Sequence, residues 1–417
     1  MKVKNLLVDL GKSCTPFHAV DNATDILDKN GFVRLREQDA WKIKKGGKYY
    51  VSKNDSALIA FIVGDAAYNI VAAHTDSPVF KVKAKASTTV ADFCKLNVES
   101  YGGGIYYSWL DRKLGIAGRI VVKTDDGVKS ILVEGGITVV IPSLAVHLNR
   151  GVNDGVAFNA QRDMQPVIAN KNVTMEELFA KQANGSQILD YDLFLYVKEE
   201  PYFYGVDDCL IASSRLDDLE GVYGGLYAIT EANPKNTAVL ALFDNEEVGS
   251  ATKQGAGSTF LADTVKRIGL CLGRSEEEHI MALAHSMMVS MDNAHGKHPN
   301  RADLSDPTND VVVNGGVVIK HHANQHYTSD GVSSALIKNV FDKANVKYQD
   351  FYMRSDLRCG GTLGAISSSQ LSIRSVDIGL AQWAMHSAVE SAGAEDFDSL
   401  VNGLRAFFDA SNELKLN

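Results

Sequence analysis

Apolar positions in residues 1–30 recur at helical spacing, with Leu6, Leu7, Leu10, Phe17, Val20, Ile26 and Leu27 on core-facing sides. This predicts an amphipathic helix followed by a second short one. Short β-branched runs bounded by Gly or Asn come next (Tyr49 to Val51, Ala57 to Val63, Tyr68 to Ala73) and predict buried strands. From about residue 83 to 205 the texture changes to strand-like pieces such as GRIVVKT and KSILVEGGITVVIPS joined by Gly turns, with a brief helical stretch at 174–183. Beyond it, predicted strands (236–243, 287–291, 317–320) alternate with helical segments (217–233, 256–272, 331–344, 381–414). Such alternation favours an α/β sheet with helices on its faces. The expected organisation is an α/β domain in two parts, 1–82 and 206–417, interrupted by an inserted, mostly β domain at 83–205.

The length of 417 residues exceeds what one ordinary core fills, in keeping with two domains. The balance of 42 Lys+Arg against 51 Asp+Glu, with no basic run, argues against a nucleic-acid partner. Five cysteines without CxxC spacing indicate neither a disulfide framework nor a Cys-rich zinc site, and point to a reducing compartment. The apolar patch of MKVKNLLVDLGKS is broken by Asp9, and nowhere do about 18 apolar residues run together. The expectation is a cytoplasmic protein with no membrane partner.

The chemistry lies in polar residues placed where predicted strands end. The run NIVAA delivers His74 and Asp76, and a carboxylate two residues from a His can fix the tautomer that presents a bare nitrogen to a metal. Alone, His-x-Asp is more often a turn. The strand AVLALF runs into Asp244, Glu246 and Glu247; adjacent glutamates are usually solvated, yet one can hold a metal while its neighbour takes a proton from water. SMDNAHGKHPN places Asp292, His295 and His298 within seven residues. In SSRLDDL, Asp217 and Asp218 lead into a helix and could simply cap it. His386 in AMHSAVES, read as helical, could be an ordinary core histidine. Together His74, Asp217, Glu247, Asp292 and His386 form an N/O set able to hold two divalent ions if one carboxylate bridges them. Competing motifs fail: Gly11-Lys12-Ser13 lacks the upstream Gly of a P-loop, GGGIYY lacks the third Gly of a dinucleotide site, and no GxSxG or HExxH occurs.

Eight segments stand in one order from residue 73 to 387: AHTDSP, YGGG, WLDR, SRLDDL, DNEEVGS, DNAHGKHPN, NQHYTSDG and AMHS. In these the chain resembles the M18 metallopeptidases, the aspartyl aminopeptidase and aminopeptidase I group. The resemblance implies a zinc-peptidase-type α/β catalytic domain with an inserted β-rich dimerisation domain. It implies two divalent ions, zinc first with cobalt or manganese as alternatives. His74, Asp217 and Asp292 would hold one ion and Asp217, Glu247 and His386 the other, with Asp217 bridging and Glu246 as general base. Asp76 would orient His74, His295 would meet the scissile carbonyl, and His147 would serve a neighbouring subunit's site. Lys320 and Tyr327 match positions that contact an acidic first residue. Self-association into dimers and a dodecamer is also implied. Two departures stand out: Asp218 replaces a usual Asn, and CGGTLGA with AQWAMHS lacks two prolines and a second small hydroxyl residue often found there.

The expected reaction is removal of the N-terminal residue from short peptides, with Asp or Glu favoured and a neutral, Leu-type preference as the alternative. A carboxypeptidase or deacylase uses the same ligand set. A non-catalytic assembly protein on this fold would be expected to lose the base or a ligand, and all six positions are intact.

Overall fold

A nine-stranded mixed sheet organises the larger part of the molecule. Its strand order is Val33–Leu35, Lys48–Lys53, Ala57–Ile62, Asn236–Phe243, Asp65–His74, Met287–Met291, Arg374–Gly379, Val317–His321, Tyr348–Tyr352. The computed structural model describes residues 2–415, the side chain of Ala66 apart. At the centre, Asn236–Phe243, Asp65–His74, Met287–Met291 and Arg374–Gly379 run parallel. Asn236–Phe243 reads as an almost unbroken apolar run because both faces of the sheet are covered. Leu240 and Leu242 enter one core with Leu219, Val222 and Phe397, whereas Val239, Ala241 and Phe243 enter the other with Phe260, Leu261 and Val265. The two-residue period of the strand thus feeds two cores on opposite faces.

The helix Asp396–Asp409 closes the first core with Phe397, Leu400, Val401, Leu404, Phe407 and Phe408, the spacing of one helical stripe. At its end the carbonyls of Phe407, Phe408 and Ala410 accept from the buried Asn69 amide at 2.9, 3.2 and 2.8 Å. The last carbonyls of a helix lack partners within it, and Asn69 supplies a donor there.

Register sets where the site forms. Phe243 lies opposite His74, and Met291 opposite Ile378, so the parallel strands finish nearly level. His74, Asp244 and Asp292 therefore emerge at one carboxyl edge, where open α/β sheets place their sites.

A second, antiparallel sheet of six strands is built from residues between Val79 and Val197, with its own core of Phe80, Leu96, Val98, Ile116, Phe179 and Leu195. A third sheet has the order Tyr202–Tyr204, Leu210–Ser213, Glu390–Gly393, Ala381–Trp383, Ala294–His295. This small sheet draws together the segments that carry Asp217, His386 and Asp292.

One expectation is corrected. Residues 381–414 are not one helix: Ala381–Trp383 pairs antiparallel with Glu390–Gly393, and only Asp396–Asp409 is helical. His386 sits in the connecting loop, where Ala384 and His386 have φ of 56° and 67°. Small apolar residues fill this run without a cap, so the strand pairing prevails over local helix propensity. The strands Tyr348–Tyr352 and Arg374–Gly379 and the helices Glu276–Ala284 and Leu363–Leu371 also carried too little pattern to be read from sequence.

Candidate metal centre

His74 ends its strand and Asp292 follows Met291, so both reach the carboxyl edge from neighbouring parallel strands. Glu246 and Glu247 follow Asn236–Phe243 through a tight turn in which Asn245 has φ 64°, a conformation that Asn tolerates better than most residues. The turn is fastened from beneath by Asp76, whose carboxylate accepts the Glu246 and Glu247 N–H groups at 3.0 and 3.1 Å and the Tyr101 hydroxyl at 2.7 Å. His74 Nδ1 is instead 3.0 Å from the Asp76 main-chain carbonyl and 3.5 Å from its carboxylate. Asp76 thus orients His74 chiefly through its backbone, and its carboxylate chiefly sets the glutamate turn.

The two imidazoles face different oxygens of Asp217: His74 Nε2 is 3.7 Å from Oδ1, and His386 Nε2 is 3.5 Å from Oδ2. His386 Nε2 is also 3.3 Å from Glu247 Oε1. Asp217 Oδ1 and Glu247 Oε1 are buried with no hydrogen-bond partner. Buried carboxylate oxygens normally have one. Ligand atoms around a tetrahedral zinc stand roughly 3.3–3.6 Å apart, since each lies about 2.0–2.2 Å from the ion. The observed separations match that spacing better than direct hydrogen bonding.

Two triads satisfy the geometry: His74, Asp217 and Asp292, and Asp217, Glu247 and His386, with ligand atoms within 4.8 Å of one another. A third, His74 with Glu246 and Glu247, meets the same condition. Distance alone therefore allows Glu246 to be a ligand or a free base.

Electrostatics point the same way. Burial first, then neighbouring carboxylates, push Glu246 up to about 8 and, against the opposing pull of Lys320, Asp292 up to about 7. Burial alone would lower both imidazoles, but Asp217 with Asp76 holds His74 well above its usual value, and Asp217 with Glu247 raises His386 to about 11. Asp217 is driven far below the carboxylate range because the two histidines outweigh its burial. The centre carries an excess of buried negative charge that divalent cations would offset. The donor set and spacing fit two such ions.

A cavity of about 470 Å³ opens over these groups and is lined by His74, Asp217, Glu246, Glu247, Asp292, His295, Lys320, Tyr327 and His386. Glycines 360 and 361, Ile366 and Met385 complete part of its wall. Lys320 is 2 % exposed, so it does not face bulk solvent. Its ammonium donates to the carbonyls of Asp292 and Asn293, both at 3.0 Å, lies 3.3 Å from Asp292 Oδ1, and sits 4.6 Å from the Tyr327 ring centroid.

Two histidines lie elsewhere. His298 is exposed and its Nδ1 accepts from the Asn300 N–H at 3.2 Å. His147 lies in a wholly exposed stretch, residues 142–148, and does not line the cavity. Its neighbours Leu144, Val146 and Leu148 are 66 %, 55 % and 75 % exposed, so they do not pack within their own sheet.

Glu390, Tyr101 and Asn293 also shape the centre. Asn293 donates to the Leu216 carbonyl at 3.2 Å and to Glu220 and Gln382 at 3.0 Å, tying the Asp217 and Asp292 segments together. Their partners are distant in sequence, which leaves no local signal; only the places of Tyr101 in YGGG and of Asn293 in DNAHGKHPN hinted at a role. Asp218 does not act as a simple cap. Its Oδ2 accepts the His74 N–H at 3.3 Å, and burial raises its pKa well above the usual range.

Comparison with known proteins gives the family. Residues 10–408 match the family described as Aminopeptidase I zinc metalloprotease (M18). A probable M18 family aminopeptidase 2 of Clostridium novyi (strain NT) is 43% identical over 416 residues, covering 95% of this chain and 96% of that protein. The cryo-EM structure of the Ape4 and Nbr1 complex matches with TM-score 0.92 and 32% identity, over 97% of this chain and 85% of that one. The S. cerevisiae mApe1 dodecamer matches with TM-score 0.84 and 26% identity, over 97% and 96% of the two chains. The chain belongs to the M18 family, the aminopeptidase I zinc metalloproteases, and is a metal-dependent aminopeptidase.

Proposed function

We propose that the protein removes acidic N-terminal residues from short peptides at a centre for two divalent ions. The observation that carries this reading is Asp217, whose two oxygens face His74 and His386 on opposite sides. His74, Asp217 and Asp292 would hold one ion, and Asp217, Glu247 and His386 the other. Zinc is the first candidate from the family, and an N/O set of this kind accepts cobalt or manganese as well. When bound, such ions polarise a peptide carbonyl and acidify a water.

The chain's own groups do the rest. Glu246 takes the proton from the attacking water and returns it to the departing amine. His295, on the cavity wall, donates its N–H to the carbonyl oxygen as charge develops there. Carboxylates that line the cavity beside the ions meet the substrate's free amino terminus and confine cleavage to the first residue.

Lys320 and Tyr327 support an acidic preference because they line the same cavity. A second reading has its own observation. The Lys320 ammonium is already shared among main-chain carbonyls and Asp292, while Ile366 and Met385 offer apolar wall to a Leu-type side chain. Ranking kcat/KM for Asp, Glu, Leu and Ala anilides, with N-acetylated peptides as blocked controls, tests this. Asp and Glu should lead and blocked peptides should stay intact; a tenfold advantage for Leu would end the acidic reading.

We further propose that residues 83–205 form a dimerisation domain, that dimers build a dodecamer, and that His147 serves the site of a partner subunit. The exposed Leu144, Val146 and Leu148 beside it support this. Co-refolding Glu246→Gln with His147→Phe chains should restore about a quarter of wild-type activity, since about half of randomly paired dimers are mixed and each has one whole site. Recovery to no more than either mutant alone, with mixed dimers verified by mass spectrometry, would exclude sharing.

A further inference from the structure

Glu390 is 2 % exposed and lies behind the metal centre, on the strand Glu390–Gly393. Each of its carboxylate oxygens accepts one main-chain N–H: Oε2 from Asp217 at 3.1 Å and Oε1 from His386 at 2.7 Å. The two donors come from segments far apart in the chain, and both residues belong to the same triad. Both also need fixing. His386 sits at φ 67° in a loop where Ala384 is likewise left-handed, and such non-glycine conformations persist only when their surroundings hold them.

The remaining restraints are spread over other segments. The Ser77 hydroxyl donates to the Asp217 carbonyl at 2.8 Å, the Ile105 N–H to the His386 carbonyl at 2.9 Å, and the His386 ring nitrogen Nδ1 lies 3.2 Å from the Gly103 carbonyl. Among the described residues, only Glu390 hydrogen-bonds both to the segment carrying Asp217 and to the loop carrying His386 through a single side chain. We infer that Glu390 is a positioning residue that sets the distance between Asp217 and His386, and so tunes the affinity of the ion they would share with Glu247 more than that of the other ion. This rests on the two-ion reading above.

A carboxamide at this position keeps the shape but offers one acceptor oxygen and one NH₂ group, which would face a main-chain N–H. One of the two bonds is lost while the packing stays. Losing a group that holds a metal ligand in place typically weakens metal binding roughly 10- to 100-fold.

The test is zinc titration of the metal-free full-length protein against a chromogenic chelator, for wild type, Glu390→Gln and Glu390→Asp, with melting temperatures of the metal-free forms. Wild type should take up two ions. Glu390→Gln should keep one within threefold of its wild-type affinity and weaken the other at least tenfold. Glu390→Asp, which keeps the charge but is too short to span both donors, should show the same split and supplies the reading if the Gln variant does not fold. Two unchanged affinities, or two affinities weakened alike with a lowered melting temperature, would overturn the inference and leave the two-ion reading standing. A wild-type protein that binds a single ion would bring down both.

Discussion

Replacing Glu246 with Gln is expected to lower kcat roughly 100- to 10,000-fold, the usual contribution of a general acid–base group, while leaving the zinc content at its wild-type level. The expectation turns on how Glu246 is held. Its N–H is fixed by Asp76 at 3.0 Å, its side chain lines the cavity beside His74 and Asp292, and burial with its neighbours pushes its pKa up to about 8. In the metal-free centre Glu246 therefore keeps its proton through neutral pH and releases it only as pH rises through about 8. Cations beside it favour the charged form and lower that value, which leaves a carboxylate free to accept a proton at neutral pH. Gln preserves the shape and removes the base. The variant also resolves the ambiguity left by distance, because Glu246 belongs to a third possible triad. Were Glu246 a ligand, zinc would fall together with activity. Zinc by plasma mass spectrometry alongside initial rates separates the two, and near-wild-type turnover with ions retained would refute the assignment.

Asp217→Asn is expected to have the larger effect on the metals, removing both. Asp217 is the one residue common to the two proposed triads, and the histidines on either side drive it far below the carboxylate range. An Asn offers one neutral oxygen in place of two anionic ones, and the amide NH₂ cannot ligate a cation. The metal-free fold should survive. The substitution takes from His74 and His386 the carboxylate that holds them charged, so the metal-free protein should keep its fold but melt below the metal-free wild type.

Much of this centre was legible in the sequence, for a physical reason. Strands buried on both faces are continuous apolar runs, so a polar residue that follows one marks the sheet edge where sites form. NIVAAH, ALFDNEE and VSMD delivered His74, Glu246, Glu247 and Asp292 in this way, and all four line the cavity. His386 was recognised as a candidate but placed on a helix. The pairing that puts it in a loop, Gln382 opposite Ala392 and Trp383 opposite Ser391, leaves no periodic trace in so short a run. Glu390 could not be read at all, because its partners are main-chain N–H groups, which every residue but proline carries. His298 shows the converse: proximity in sequence to Asp292 and His295 did not bring it into the site.

Anomalous scattering at the zinc edge from zinc-loaded crystals of wild type and Asp217→Asn shows whether Asp217 joins two metal sites. Two peaks are predicted in wild type, one among His74, Asp217 and Asp292 and one among Asp217, Glu247 and His386, and neither in the variant. A single wild-type peak, a peak held by Glu246, or two peaks persisting in Asp217→Asn would contradict the account.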